Sequence, residues 1–287
     1  MERACGGMIS SRAEIDREAV ASHYDDLDYF YRDVWGDHVH HGFWRTGRES
    51  REQAVLQLVD LVAEKAGVGN GVRVCDIGCG YGATARVLAD RGAQVTGITI
   101  SPAQFAIATQ NQLSDNNPAF LLGDWLTNEI PTETFDAAIA IESSEHMPDK
   151  PALFAQAHRV LRTDGRLVIC AWLASEQPGA QAESWLLEPI CREGRMPHLG
   201  SASDYKALGD AAEFRLLSFE DITTSVARTW PAIVWRLMGK LITAPRYIRF
   251  LFSRHAHNRI FALTILRIWI AYRTGAMRYG IFTFAKL

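Results

Sequence analysis

Apolar positions change rhythm along the chain, and the changes mark its elements. Ser50-Arg51-Glu52-Gln53 reads as a capping box, in which the serine accepts from an early backbone N–H and the glutamine reaches back. Ala54, Leu58, Leu61 and Val62 follow at the spacing of one buried helical face. From Val72 to Ile77 the pattern is that of a buried strand, which runs into Gly78-Cys-Gly80-Tyr-Gly82 and a helix over 83–91 with Gly92 at its end. Residues 94–100 predict a second strand. Ser101-Pro-Ala-Gln104 opens a helix, with serine as cap and proline in the first turn. Further strands are expected at 119–122, 135–141 and 166–173, with a helix over 151–161. Strands alternating with helices imply a doubly wound, mostly parallel α/β sheet.

The flanks read differently. Residues 14–31 predict a helix, followed by the aromatic and histidine-rich run Trp35-Gly-Asp-His-Val-His-His-Gly-Phe-Trp44. Beyond 175 the rhythm breaks: 177–210 is mixed and helical, 214–229 a strand region, 230–278 helical, aromatic and basic, and 280–287 a last strand. With no internal repeat and no linker, the expectation is one domain: N-terminal helices and a lid (1–66), a ligand-binding core (67–174), and cap insertions with the last strands (175–287).

Composition changes the picture in one place. The 287 residues are 48% hydrophobic with a net charge of −3, ordinary for a globular chain able to bury a large core. Five scattered cysteines, an N-terminus without a signal pattern and the absence of a long apolar run point to a cytoplasmic protein. The charge, however, is segregated. Residues 1–227 hold 19 basic and 33 acidic residues, a net −14, whereas 228–287 hold 11 basic residues and no acid. Two readings of this tail stay open. Its arginines could be solvated on packed helices, or it could form a cap. In the second reading Trp230, Ile233, Trp235, Phe250, Phe261 and Trp269 hold a greasy substrate, and the arginines meet an acidic substrate group or an anionic membrane surface. No nucleic-acid motif accompanies the charge.

The strongest chemical signal is Asp76-Ile-Gly78-Cys-Gly80-Tyr-Gly82 at a strand-to-helix turn. Glycines there let the backbone approach a ligand at the carboxyl ends of the strands. A dinucleotide fold would place its third glycine one residue later and an acid at the end of the second strand, where Ile98-Thr99-Ile100-Ser101 has none. His38, His40 and His41 are not expected to share a metal, because alternating side chains diverge on an extended segment, and Cys75 and Cys79 lack a partner pair for zinc.

The turn resembles the S-adenosylmethionine (SAM) loop of class I methyltransferases. Trp35-Gly-Asp-His-x-His-His-Gly-Phe43, Gly97-Ile-Thr-Ile-Ser-Pro-x-Gln104 and Glu142-Ser-Ser-Glu-His-Met-Pro-Asp-Lys150 narrow the resemblance to the gamma-tocopherol methyltransferase-like family, over nearly the whole chain. It implies a seven-stranded sheet with an antiparallel last strand and a helical cap, with SAM as cofactor. By the same resemblance Asp76, Gly78 and Gly80 meet the methionine part of SAM, and Thr99, Ile100 and Gln104 the ribose. Gly123, Asp124 and Trp125 meet the adenine, and Glu142 lies beneath the methyl group. Tyr24 and the segment from Trp35 to Trp44 form a lid. His40, His41, Trp44, Trp230 and Trp235 are candidate substrate contacts. His146 is the candidate base, with Glu145 second; the alternative is that His146 only positions its turn. The implied activity is methyl transfer to a hydrophobic small molecule, foremost C-methylation of a prenylated or lipophilic phenol. N- or O-methylation of a natural product and C-methylation of an anionic prenyl substrate are the alternatives.

Overall fold

Why the central strands assemble follows from what flanks them. The computed structural model describes residues 7–26, 32–110, 116–243 and 257–287, without the side chains of 23, 24, 26, 241, 242 and 257–262. Its elements run β1 (Ile9–Ser10), α1 (Arg17–Asp26), α2 (Arg51–Ala66), β2 (Arg73–Ile77), α3 (Ala83–Asp90), β3 (Gln94–Thr99), α4 (Pro102–Gln110), β4 (Ala119–Leu122), β5 (Phe135–Ile141), α5 (Lys150–Val160) and β6 (Leu161–Ala174). Then follow α6 (Glu188–Glu193), β7 (His198–Leu199), α7 (Ala202–Ala211), β8 (Phe214–Asp221), α8 (Thr223–Val226), α9 (Thr229–Thr243), α10 (His257–Thr274) and β9 (Met277–Lys286). Short helical and π turns at Ala180–Ala182 and Glu183–Leu187 lead into α6.

The seven-stranded sheet has the order β4-β3-β2-β5-β6-β9-β8. Only β9 runs antiparallel, wedged between β6 and β8 with Ile169 opposite Phe282 and Phe219 opposite Phe282. The order reverses between β2 and its neighbours β3 and β5, so a crevice opens at the carboxyl end of β2. Alternating side chains feed two apolar layers. One holds Val74, Leu58, Val62 and Leu88; the other holds Cys75, Ile77, Leu153, Phe154, Phe282 and Phe284.

Local signals act as read. Ser50 accepts from the Gln53 backbone while the Gln53 side chain accepts from Ser50 N, and Gly67 at φ 70° ends α2. Ser101 Oγ accepts from Gln104 N at the start of α4. Differences occur where pairing is long-range. β6 begins at Leu161 rather than 166, because Leu161 pairs with Phe135. The 214–229 region is strand only to Asp221 and helical afterwards. The two-residue ribbon of β1 and β7 has no sequence signal of its own.

Two aromatic expectations for the cap are corrected. Trp235 is 78% exposed on α9, and Trp269 is 42% exposed on α10, so neither packs inward around a substrate. In α9 it is Trp230 and Ile233 that face inward, and Trp235 lies on the opposite side of the turn. Phe250 and the Phe261 side chain lie outside the described residues.

Candidate active site

The turn after β2 is forced to be glycine by what surrounds it. Gly78 has φ +75°, and a Cβ there would stand 2.4 Å from Ser143 Cβ on the turn after β5. Ser143 Oγ donates to the Ile77 carbonyl at 2.5 Å, and Gly78 N and Cys79 N donate to the Ile98 carbonyl at 2.9 and 3.0 Å. The turn is thereby locked to both neighbouring strands. Gly80, at φ +55°, faces open space, with only Gln104 Nε2 at 3.9 Å from a notional Cβ.

That space is a cavity at the switch point of the sheet. Asp76, Gly78, Gly80, Thr99, Ile100, Gln104, Gly123, Asp124, Trp125 and Glu142 all line it. Thr99 Oγ1 donates to Gln104 Oε1 at 2.9 Å, and Asp124 Oδ1 accepts from Leu126 N at 2.9 Å, capping the turn that seats Trp125. Asp76 is 3% exposed, and its Oδ2 has no hydrogen-bond partner among the described residues. Burial pushes its carboxyl up to about 7. A buried, orphaned carboxylate oxygen beside an open glycine turn fits a ligand that brings a cationic group, as the ammonium of SAM's methionine part does.

The lid is only partly as expected. Arg17 and Val20 of α1, with Asp37, His38, Val39 and His40, line this cavity. The Tyr24 side chain lies outside the described residues. Trp35 is buried at 5% but lines a second, adjoining cavity, packed edge-on to Trp230 with centroids 5.6 Å apart. This corrects its placement over the cofactor: the Arg51 guanidinium donates to the Trp35 carbonyl, and the ring packs inward against Trp230. Trp44 lines neither cavity; its indole N–H donates to Thr229 Oγ1 at 3.4 Å and pins the segment to the cap. His38 and His40, two residues apart, share one side of the segment with Nδ1 and Nε2 3.2 Å apart, while His41 turns away to Glu142. Among the described residues no group of three metal-ligating side chains converges.

His41 is fully buried and belongs to the floor rather than to either cavity wall. Its backbone N–H and Nδ1 donate to Glu142 at 2.6 and 3.0 Å. Trp172 Nε1 and Tyr279 OH donate to the same carboxylate, each at 2.8 Å. Burial alone would raise the Glu142 carboxyl, but the His41 imidazole and backbone N–H, with His40 nearby, hold it at about 2. Glu142 also sits at φ +52°, a costly conformation for a side chain of this kind and one that clusters at functional sites.

The second cavity is aromatic and aliphatic, lined by Trp35, Trp172, Trp230, Ile190, Met196, Ile265 and Ile268, with Glu145, His146, Glu193 and Thr264 as its polar groups. Val39, Glu142 and His146 line both cavities and so form the wall between them. His146 Nδ1 lies 3.0 Å from the Arg195 carbonyl, which only accepts, so Nδ1 carries the proton and Nε2 is the basic nitrogen of the neutral ring. Burial lowers its pKa below 6.5. Glu145 accepts from Trp172 N at 2.6 Å and from Ser144 Oγ at 3.1 Å, and burial pushes it up to about 7. Beneath them the buried Lys150 ammonium donates to the carbonyls of Glu145 and Met147 at 3.3 and 2.7 Å, fixing the turn. Sequence reasoning missed Trp172, Glu193, Thr264, Ile265 and Ile268 as wall residues. Trp172 alone had a usable signal, its place near the carboxyl end of a strand.

A glycine turn at the switch point of a sheet with one antiparallel strand, a capped turn after β4 and an adjoining apolar cavity define a SAM-dependent methyltransferase of class I architecture. The sequence profile of the mycolic acid cyclopropane synthetase family matches residues 11–255, and the chain belongs to that family. It is 29% identical to a probable chloroplastic tocopherol O-methyltransferase of Oryza sativa subsp. japonica, over 94% of this chain and 78% of that one. It is 28% identical to the 2-methyl-6-phytyl-1,4-hydroquinone methyltransferase of Synechocystis, over 96% and 90% of the two chains. Among solved structures, the mycolic acid cyclopropane synthase CmaA1 complexed with SAH and CTAB superposes with a TM-score of 0.82 at 22% identity, covering 96% of this chain and all of the other.

Proposed function

We propose that this protein transfers the SAM methyl group to a ring carbon of a lipophilic phenol held in the second cavity. The observation that carries the reading is the shared wall, where Val39, Glu142 and the neutral His146 are the residues common to both cavities among the described residues. When bound, SAM supplies an electrophilic methyl group on a sulfonium centre. Asp76 holds its ammonium, Thr99, Ile100 and Gln104 face the ribose, and Asp124 accepts from the adenine amine beside Gly123 and Trp125. Glu142, saturated with donors and ionised, adds a fixed negative field at the seam and takes no proton itself.

His146 Nε2 accepts the phenolic proton, with Glu145 as the second candidate. The phenolate would then carry negative charge onto its ortho carbon, where the new C–CH3 bond would form as the methyl's bond to sulfur breaks and neutral SAH is left; that carbon's proton would pass to solvent, and the proton on His146 would return to the phenol oxygen as the ring is restored. The indoles of Trp35, Trp172 and Trp230 exclude water and hold the ring flat against the seam. Such alignment can supply roughly 7–11 kcal/mol of the barrier. The relatives named for tocopherol and for a phytyl hydroquinone favour this acceptor class.

The test is incubation with methyl-13C SAM and three acceptors: a prenylated hydroquinone, a chromanol with a free phenol and an alkaloid amine. A product whose labelled methyl correlates with ring carbons is expected from a phenol. Label found only on oxygen or nitrogen would overturn the reading in favour of O- or N-methylation.

A further inference from the structure

The helix α10 is apolar on two opposite faces. On the inner face Thr264, Ile265 and Ile268 line the second cavity, with Ala271 and Tyr272 buried behind them. On the outer face Leu263, Leu266 and Trp269 are 46%, 49% and 42% exposed. A helix with one face on the core and the other in water would carry polar residues on the second. The π turn that packs against α10 also leaves an indole in water, Trp185 being 75% exposed. Isolated exposed leucines are ordinary, but three large apolar side chains sharing one face of a helix form a patch.

We propose that this outer face of α10 docks on an anionic lipid bilayer surface. The charge selects that occupant. No acid occurs after Asp221 in the sequence, and the Arg273 guanidinium lies over the Trp269 ring, 5.4 Å from its centroid. Arg236, Lys240 and Arg267 are engaged by Glu52, Asp33 and Glu193 of the body. Arg246, Arg249, Arg254 and Arg259 precede the patch in sequence with no acid among them. Two copies of such a face, paired about a two-fold axis, would bring like charges together, whereas anionic headgroups offset them. Indoles and leucines beside arginines are the set that inserts at the headgroup boundary. No helix among the described residues is long and apolar enough to cross a membrane, and the contact proposed is a peripheral one. The docking argument stands without the acceptor assignment; if that assignment holds, α10 separates the bilayer from the acceptor cavity.

The experiment is flotation of the full-length protein with vesicles of phosphatidylcholine alone and of phosphatidylcholine with phosphatidylglycerol, without any acceptor. Binding is expected to the anionic vesicles and to weaken as salt rises. Leu266→Glu and Arg273→Glu should each lower it by about tenfold, with melting temperature and SAH affinity unchanged. Leu56→Glu, at an equally exposed leucine on α2, should leave it unchanged. Three results overturn the proposal: no preference for anionic vesicles, equal binding by all variants, or a dimer that Leu266→Glu dissociates while vesicles bind nothing. None of them bears on which atom is methylated.

Discussion

Glu142 and Glu145 are both buried, three residues apart, and their surroundings drive them in opposite directions. His41 and His40 hold Glu142 at about 2, and desolvation lifts Glu145 to about 7. Only Glu145 can therefore exchange a proton near neutrality, and it competes with His146 for the role of base. Their pH signatures differ. With His146 as acceptor, kcat/KM stays level through neutral pH and falls only below 6.5, since burial lowers the imidazole. His146→Ala should then cost about 10²–10⁴-fold in turnover, with SAH affinity nearly unchanged. An acid limb centred near 7 that disappears in Glu145→Gln would assign the proton to Glu145 instead. Asp76 gives a second prediction with its sign fixed. Its folded pKa is raised, so it is protonated below about 7 and must ionise to hold an ammonium. SAH affinity, measured by calorimetry, should weaken by about tenfold per pH unit below 7. Asp76→Asn should bind poorly and lose that pH dependence. By the same linkage the unliganded fold loses stability as pH rises from the ordinary carboxylate range to about 7. Asp76 and Gly78 were legible in the sequence because their signal is local. The partners of Glu142 were not, because His41, Trp172 and Tyr279 are 101, 30 and 137 residues away. Trp35 and Trp235 were misplaced because an indole in a sequence carries no mark of the direction it faces.

At the scale of elements, the ligand turn is held as part of a three-strand junction. Ser143 after β5 and Ile98 in β3 both bond the turn after β2, so a change in one displaces the other two. Gly78→Ala combines a disfavoured φ with a 2.4 Å clash on Ser143 Cβ. It should destabilise the protein by about 2 kcal/mol or more and abolish SAH binding. Gly69→Ala is the matched control: nothing lies within 4 Å of its notional Cβ and its φ is ordinary, so melting and SAH affinity should be unchanged. Loss of SAH binding in both variants would remove the argument that this turn is the cofactor cradle. The capping boxes, the glycine stops and the central strands were readable because each is decided within a few residues. The β1–β7 ribbon and the early start of β6 were not, because their partners are distant in sequence and the short strands have no periodicity.

Across the whole molecule, the N-terminal and central segments build one cavity, and the late segments supply most of the other. The first is built by β2, β3, β5, α1 and the turns after β2 and β4; much of the second comes from α6, α9 and α10. Cofactor binding and acceptor choice should therefore separate under mutation, except at the three shared residues. Ile268 tests this, because it is buried on the inner face of α10 and lines only the acceptor cavity. Ile268→Trp fills part of that cavity without touching the ligand turn. Overpacking should cost about 1–3 kcal/mol of stability. The acceptor KM should rise by about tenfold or more, because each displaced apolar group is worth about 1–3 kcal/mol of acceptor binding. SAH affinity should hold within about twofold, since the two ligands meet different elements. Ile268→Ala enlarges the same site and should shift preference toward bulkier phenols while leaving SAH affinity alone. If both variants weakened SAH as much as the acceptor, the two cavities would behave as one site, and α10 would be part of the cofactor enclosure rather than the selector of what is methylated.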